Sequence, residues 1–121
     1  MAKARAKAPA PERWYRGDEV RLFAIRRFAR QVAERFGPDK IILFGSQAYG
    51  NPHQDSDVDI LVVMTARNEI DQAARIRWAI PRRFAMDLIV RRPDDLRRRL
   101  EEGDWFLRDI VANGKVLYDK D

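Results

Sequence analysis

A chain of 121 residues fits one domain with a buried core and leaves no room for a second full catalytic or substrate-binding domain. The absence of cysteine excludes a disulfide framework and thiolate chemistry and points to a reducing compartment, and a single histidine, His53, argues against a zinc site. No apolar run approaches the roughly 20 residues of a membrane span and no secretory leader is visible, so a soluble cytoplasmic protein with no membrane partner is expected, while the formal charge of +5 brings nucleic acid into consideration.

Residues 1–16, rich in Ala, Lys, Arg and Pro, show no apolar periodicity and are read as a disordered basic tail ahead of a folded domain over 17–121. Residues 1–17 carry a net charge of +4, which leaves +1 for 18–121. Basicity is therefore largely a property of the tail, and nucleic-acid binding through it is the less favoured reading. From Asp18 the apolar positions Leu22, Ile25, Phe28–Ala29, Val32 and Phe36 recur at helical spacing, and Gly37-Pro38 supplies a stop. Lys40–Phe44 is a short β-branched and aromatic run, a buried strand that ends on a tight turn at Gly45-Ser46. A helical turn over Gln47–Gly50 and a loop at Asn51-Pro52 lead to a second buried strand, Ser56–Met64, with two acids at its entrance. A helix is expected over Glu69–Ile80, with Ile70, Ala73–Ala74, Arg77 and Ile80 on one side and Pro81 ending it. Phe84–Val90 reads as a third strand, apolar except for Asp87. Pro93-Asp94-Asp95 has the composition of a helix start, with proline in the first turn and acids at the positive end of the dipole, and that helix runs to Glu102. A last helix, Asp104–Asn113, places Trp105, Phe106, Ile110 and Val111 for burial, and Gly114 precedes an optional short strand at Lys115–Tyr118. The order predicts a mixed α/β (α+β) domain, a small mixed sheet of three to four strands flanked by helices.

The acids carry the chemistry. Residues two apart in a strand point the same way, so Asp57 and Asp59 project from one face with Cα atoms roughly 7 Å apart. Two adjacent carboxylates in an apolar strand repel each other and lose water, a penalty that a bound divalent cation offsets. Magnesium prefers hard oxygen ligands and keeps several waters, so two or three carboxylates plus substrate phosphates suit it. Asp87, the lone charge in its strand, is the third candidate if the two strands are neighbours. Two ions in such a site activate the attacking oxygen and hold the triphosphate and leaving group. Gly45 and Ser46 at the strand exit provide backbone N–H groups and a hydroxyl for phosphate oxygens, the glycine allowing a phosphate to approach closely. Ten residues, Gln47 to Ser56, then return the chain to the acids.

Phe44-Gly45-Ser46, a ten-residue spacer, Asp57-Val58-Asp59 and then Asp87 in a strand resemble the nucleotidyltransferase superfamily of DNA polymerase beta, and the length resembles its minimal nucleotidyltransferases. The resemblance spans roughly 18–119, including the ending Gly114-Lys115-Val116-Leu117-Tyr118. It implies that Ser46 contacts the triphosphate of ATP, that Asp57 and Asp59 hold Mg2+, and that Asp87 completes the metal site and helps activate an acceptor hydroxyl. Minimal nucleotidyltransferases are often paired with a helical HEPN-type toxin, which implies an antitoxin that adenylylates a tyrosine of that toxin. Members often carry arginine after the serine, where this chain has Gln47. The rival reading is a degenerate nucleotidyltransferase fold that neutralises its partner by binding alone. Homo- or hetero-oligomers are both compatible with the sequence.

Other residues attract plainer readings. His53 belongs to a polar loop and is expected to be solvated, and Tyr49 either stacks on a base or packs the turn against the first helix. Trp78, Trp105 and Phe106 are read as core or partner contacts. The arginines Arg82, Arg83, Arg91, Arg92 and Arg97–Arg99 are read as a solvated surface, one of which has to meet the triphosphate.

Overall fold

The computed structural model describes residues 17–48 and 57–121, with side chains from residue 22 onward in the first segment. The expected tail, Tyr49, His53 and the end of the turn after Gln47 lie outside the described residues. The elements are α1 (Gly17–Phe36), β1 (Lys40–Phe44), β2 (Val58–Val63), α2 (Glu69–Ala79), β3 (Met86–Arg91), α3 (Pro93–Glu101), α4 (Trp105–Asn113) and β4 (Lys115–Asp119). The optional last strand is formed, and the chain makes a four-stranded mixed sheet in the order β3-β2-β1-β4.

β1 runs antiparallel to β2 and β4, whereas β2 and β3 are parallel. A parallel pair requires a crossover, and α2 is that crossover. Asn68 caps it, its side chain accepting a hydrogen bond from the Asp71 N–H at 3.0 Å. Glu69 ties the start of α2 to the far end of β3 by accepting from the Arg92 N–H at 2.9 Å and pairing with Arg91 at 3.7 Å. α1 ends where Gly37 takes φ +58 and its N–H donates to the Ala33 carbonyl at 3.1 Å.

Helices cover both faces of the sheet, which is why β1 and β2 are apolar on both sides. On one face, Ile25, Phe28 and Val32 of α1 and Ala73 and Ile76 of α2 pack over Ile41, Leu43, Ile60 and Val62. On the other, Leu107 and Ile110 of α4, with Leu96 and Leu100 of α3, cover Ile42, Phe44, Leu61 and Val63.

Two helical faces differ from the sequence reading. The inward stripe of α2 is Ala73–Ile76, continued by Ile80, rather than one that includes Ile70 and Arg77, and Ile70 and Trp78 stand 81% and 87% exposed. α4 turns Leu107 and Ile110 inward, so Trp105, Phe106 and Val111, expected in the core, are exposed. Both helices are short and lie on a sheet already filled by its own aliphatic residues, so each buries one narrow stripe and leaves its large aromatic side chains outside. No helix among the described residues is long and apolar enough to cross a membrane.

Leu61 is fully buried in a central strand. Leu61→Ala is expected to lower unfolding free energy by about 2–5 kcal/mol in urea titrations, whereas Ile70→Ala, at an exposed helical position, should change it by less than about 0.5 kcal/mol.

Candidate active site

The strand directions gather the site at one end of the sheet. β2 and β3 are parallel and both begin there, and β1, antiparallel to β2, ends there on Gly45-Ser46. In the β2–β3 register Asp59 lies directly opposite Asp87, and in the β1–β2 register it lies opposite Phe44. Alternation places Asp59 on the same face as Leu61 and Val63, and Asp87 on the same face as Ile89, so both carboxylates belong to the face covered by α3 and α4. Asp57 immediately precedes β2, two residues before Asp59. The Val58 N–H donates to the Ala85 carbonyl at 2.9 Å, which fixes the two strand entrances side by side.

Asp57 and Asp87 are exposed and Asp59 is half-buried. Burial raises the Asp59 carboxyl above its ordinary value, and the nearby charges of Asp87 and Asp57 raise it further. Asp59 therefore feels both of its acidic neighbours. The three side chains are spread at the sheet end: among the described residues no three acidic or imidazole groups stand close enough together to hold a metal ion as they are placed.

Gly45 has a packing role in addition to the one its position in the sequence suggests. Its φ is +75, and a Cβ built on it would collide with Oδ2 of Asp59 and lie 3.2 Å from Cγ. The space that glycine vacates is taken by the Asp59 carboxyl group itself. Ser46 follows in a turn closed by the Ala48 N–H donating to the Gly45 carbonyl at 3.0 Å, and is half-exposed. Residues 49–56, which complete the connection to Asp57, are outside the described residues.

The aromatic border of the site was hidden in the sequence reading. Phe44, paired with Asp59, is covered by Phe106 of α4 in an edge-to-face contact with ring centroids 5.7 Å apart. The signal that could have found it is Phe44 itself, a large ring at a strand exit that needs cover. The arginine run on α3 is largely structural: Arg98 and Arg99 both bind the buried Asp95, Arg98 also reaches Glu102 at 3.2 Å, and Arg99 reaches Asp104 at 3.8 Å.

A mixed sheet between two helical layers, with a glycine-serine turn and aligned aspartates at one end, defines a class of small α+β domains built around an acidic strand-end site. The sequence matches the nucleotidyltransferase domain family over residues 25–118, and the chain belongs to that family. The fold is similar to the crystal structure of a candidate nucleotidyltransferase from Sulfolobus solfataricus, with a TM-score of 0.62 and 21% identity over 97% of this chain and 94% of that one. No curated protein matches the sequence.

Two measurements follow from this geometry. Gly45→Ala should lower stability by about 1–3 kcal/mol because of its left-handed backbone and the collision with Asp59. Gly37→Ala, at φ +58 with nothing within 4 Å of the added Cβ, should show only the smaller backbone part; equal losses in denaturant titrations would remove the Asp59 contact from the explanation. The second concerns pH. Because folding raises the Asp59 carboxyl, the stability it contributes is fully present below the unfolded value of about 3.9 and is lost as pH rises through the higher folded value. Thermal melts should show Asp59→Asn more stable than the wild type at neutral pH in the absence of divalent cation, with a shallower fall of stability across the carboxylate range.

Proposed function

We propose that this nucleotidyltransferase transfers AMP from ATP to a hydroxyl of a separate protein, a tyrosine of a HEPN-type toxin, and so acts as an antitoxin. The observation that carries nucleotidyl transfer at this place is the direct pairing of Asp59 with Asp87 beside Asp57, at the strand end where Gly45-Ser46 leaves the sheet. The protein partner is supported by the resemblance to minimal nucleotidyltransferases, and by Trp105 and Phe106, exposed aromatic side chains on α4 of which Phe106 packs on Phe44 at the border of the site.

The donor set fits magnesium. It consists of carboxylate oxygens only, and burial together with the charges of Asp87 and Asp57 raises Asp59, the electrostatic situation a divalent cation relieves. Asp57 and Asp59 would hold the ions and Asp87 would complete the set, the exposed side chains of Asp57 and Asp87 turning toward Asp59. Bound magnesium supplies charge neutralisation for the triphosphate and lowers the proton affinity of the acceptor hydroxyl. The chain's own contribution is positioning. Ser46 and the turn's N–H groups orient the phosphates, and Asp87 aligns the acceptor hydroxyl and takes its proton. The acceptor oxygen forms a bond to the α-phosphorus as the bond to the bridging oxygen breaks, pyrophosphate leaves with that electron pair, and the product is an AMP ester.

Gln47, in place of the arginine common at that position, favours a second reading in which the protein neutralises its partner by occlusion. Mass spectrometry separates the two. After incubation with ATP, magnesium and the purified HEPN-type partner, the partner should gain one or more AMP units, and Asp57→Asn or Asp59→Asn should slow that gain by about 100-fold or more. Protection that survives in both variants with no mass gain in the wild type would establish occlusion.

A further inference from the structure

The net charge of the folded part conceals an uneven distribution. On the α3 side most arginines meet a carboxylate: Arg91 and Arg92 face Glu69, and Arg98 and Arg99 bind Asp95, with Arg97 the exposed exception. On the α1–α2 side they do not. Arg26, Arg27 and Arg30 are exposed on α1 and Arg77 on α2, and among the described residues none of them forms an ion pair. Arg82 follows α2, its Nη1 donating to the Arg77 carbonyl at 3.3 Å and its buried Nε without a hydrogen-bond partner. An edge-to-face contact between Phe28 and Phe84, with centroids 5.9 Å apart, packs the connector that carries Arg82 against α1. The cations therefore belong to one helical layer.

Within that layer Ala74, Arg77, Trp78 and Arg82 line an open depression of about 320 Å³. Trp78 is 87% exposed, so its indole is presented to solvent in a depression that Arg77 and Arg82 also line. An exposed aromatic plane flanked by cations matches the two needs of a nucleic-acid strand, stacking for a base and positive charge for its phosphates. An acidic peptide would use the arginines but not the exposed indole ring.

We propose that this depression is a subsite for single-stranded nucleic acid, in which a base stacks on Trp78 and the adjoining phosphates meet Arg77 and Arg82, with the arginines of α1 extending the positive track. The site is separate from the acids, which lie on the opposite face of the sheet, and does not depend on the proposed protein acceptor. It is nonetheless at the same end of the domain. The connector from Arg82 runs directly into Met86-Asp87, and its Ala85 carbonyl accepts from the Val58 N–H, so a strand seated there ends near the entrance to the acidic cluster.

The test is fluorescence anisotropy of a labelled oligouridylate of about 12 nucleotides with the full chain over a series of salt concentrations. Binding should weaken with salt. Trp78→Ala, at a side chain that contributes nothing to the core, should weaken it at least about fivefold, and Arg77→Gln should lower the slope of log affinity against log salt by about 0.7. Circular dichroism melts matching the wild type would confirm that both variants fold. Absence of binding at low salt would overturn the proposal, as would unchanged affinity and slope in the variants, which would assign binding to other cations. A Trp78→Ala variant that binds the oligonucleotide normally but loses its protein partner would overturn it too, and would make the patch a protein interface.

Discussion

Everything at the site depends on a single strand pairing. β2 and β3 run parallel with Asp59 opposite Asp87, which holds two carboxyl groups at neighbouring positions on one face of an otherwise apolar sheet. Such a pairing opposes folding, since burial and then the neighbouring Asp87 charge raise the free energy of ionising Asp59. The fold accommodates it at the end of the strands, where water reaches Asp87 and Asp57, and the aliphatic pairs Ile60–Leu88, Leu61–Ile89 and Val62–Val90 in the same register provide the compensating burial. The register that stabilises the sheet is thus the register that forces the acids together, and slipping β3 by one residue would turn Asp87 and its strand's aliphatic set to the opposite face.

That constraint extends to the neighbouring strand. Asp59 fills the volume beside Gly45, so the glycine at the exit of β1 serves the acid before it serves any phosphate. The turn and the acidic pair, which look like two independent motifs along the chain, are one packed unit. Phe44 and Phe106 close its side, so four elements, β1, β2, β3 and α4, converge on it.

Much of this was legible in the sequence, and the reason is periodicity. Strong apolar runs and stop signals located the four helices and all four strands to within a few residues, and a lone aspartate in the run Phe84–Val90 was enough to place Asp87 next to Asp59 once the strands were assumed to be neighbours. What sequence could not supply was which side of a short helix faces the sheet. On α2 the choice between a stripe through Ile70 and one through Ile76 is a rotation that hydrophobicity alone does not decide, because Ile70 and Trp78 are as apolar as the residues that win. The pairing of Arg98 and Arg99 with Asp95 was hidden for a related reason: a composition count adds charges without knowing which of them meet.

The position of β4 has a consequence for how the molecule assembles. β1 obtains one neighbour from β2, soon after it in the chain, but the other edge of β1 is covered only by Lys115–Asp119, with Lys40 clasped to Asp119 at 3.5 Å and Asp39 to Lys120 at 2.9 Å. On a ribosome, β1 would wait with an unpaired edge until the last of these residues emerged, the interval in which an edge is exposed to the wrong strand. Closure of the sheet is then a late, long-range step, and the polar clasps at Asp39 and Lys40 hold in register the strand that completes it.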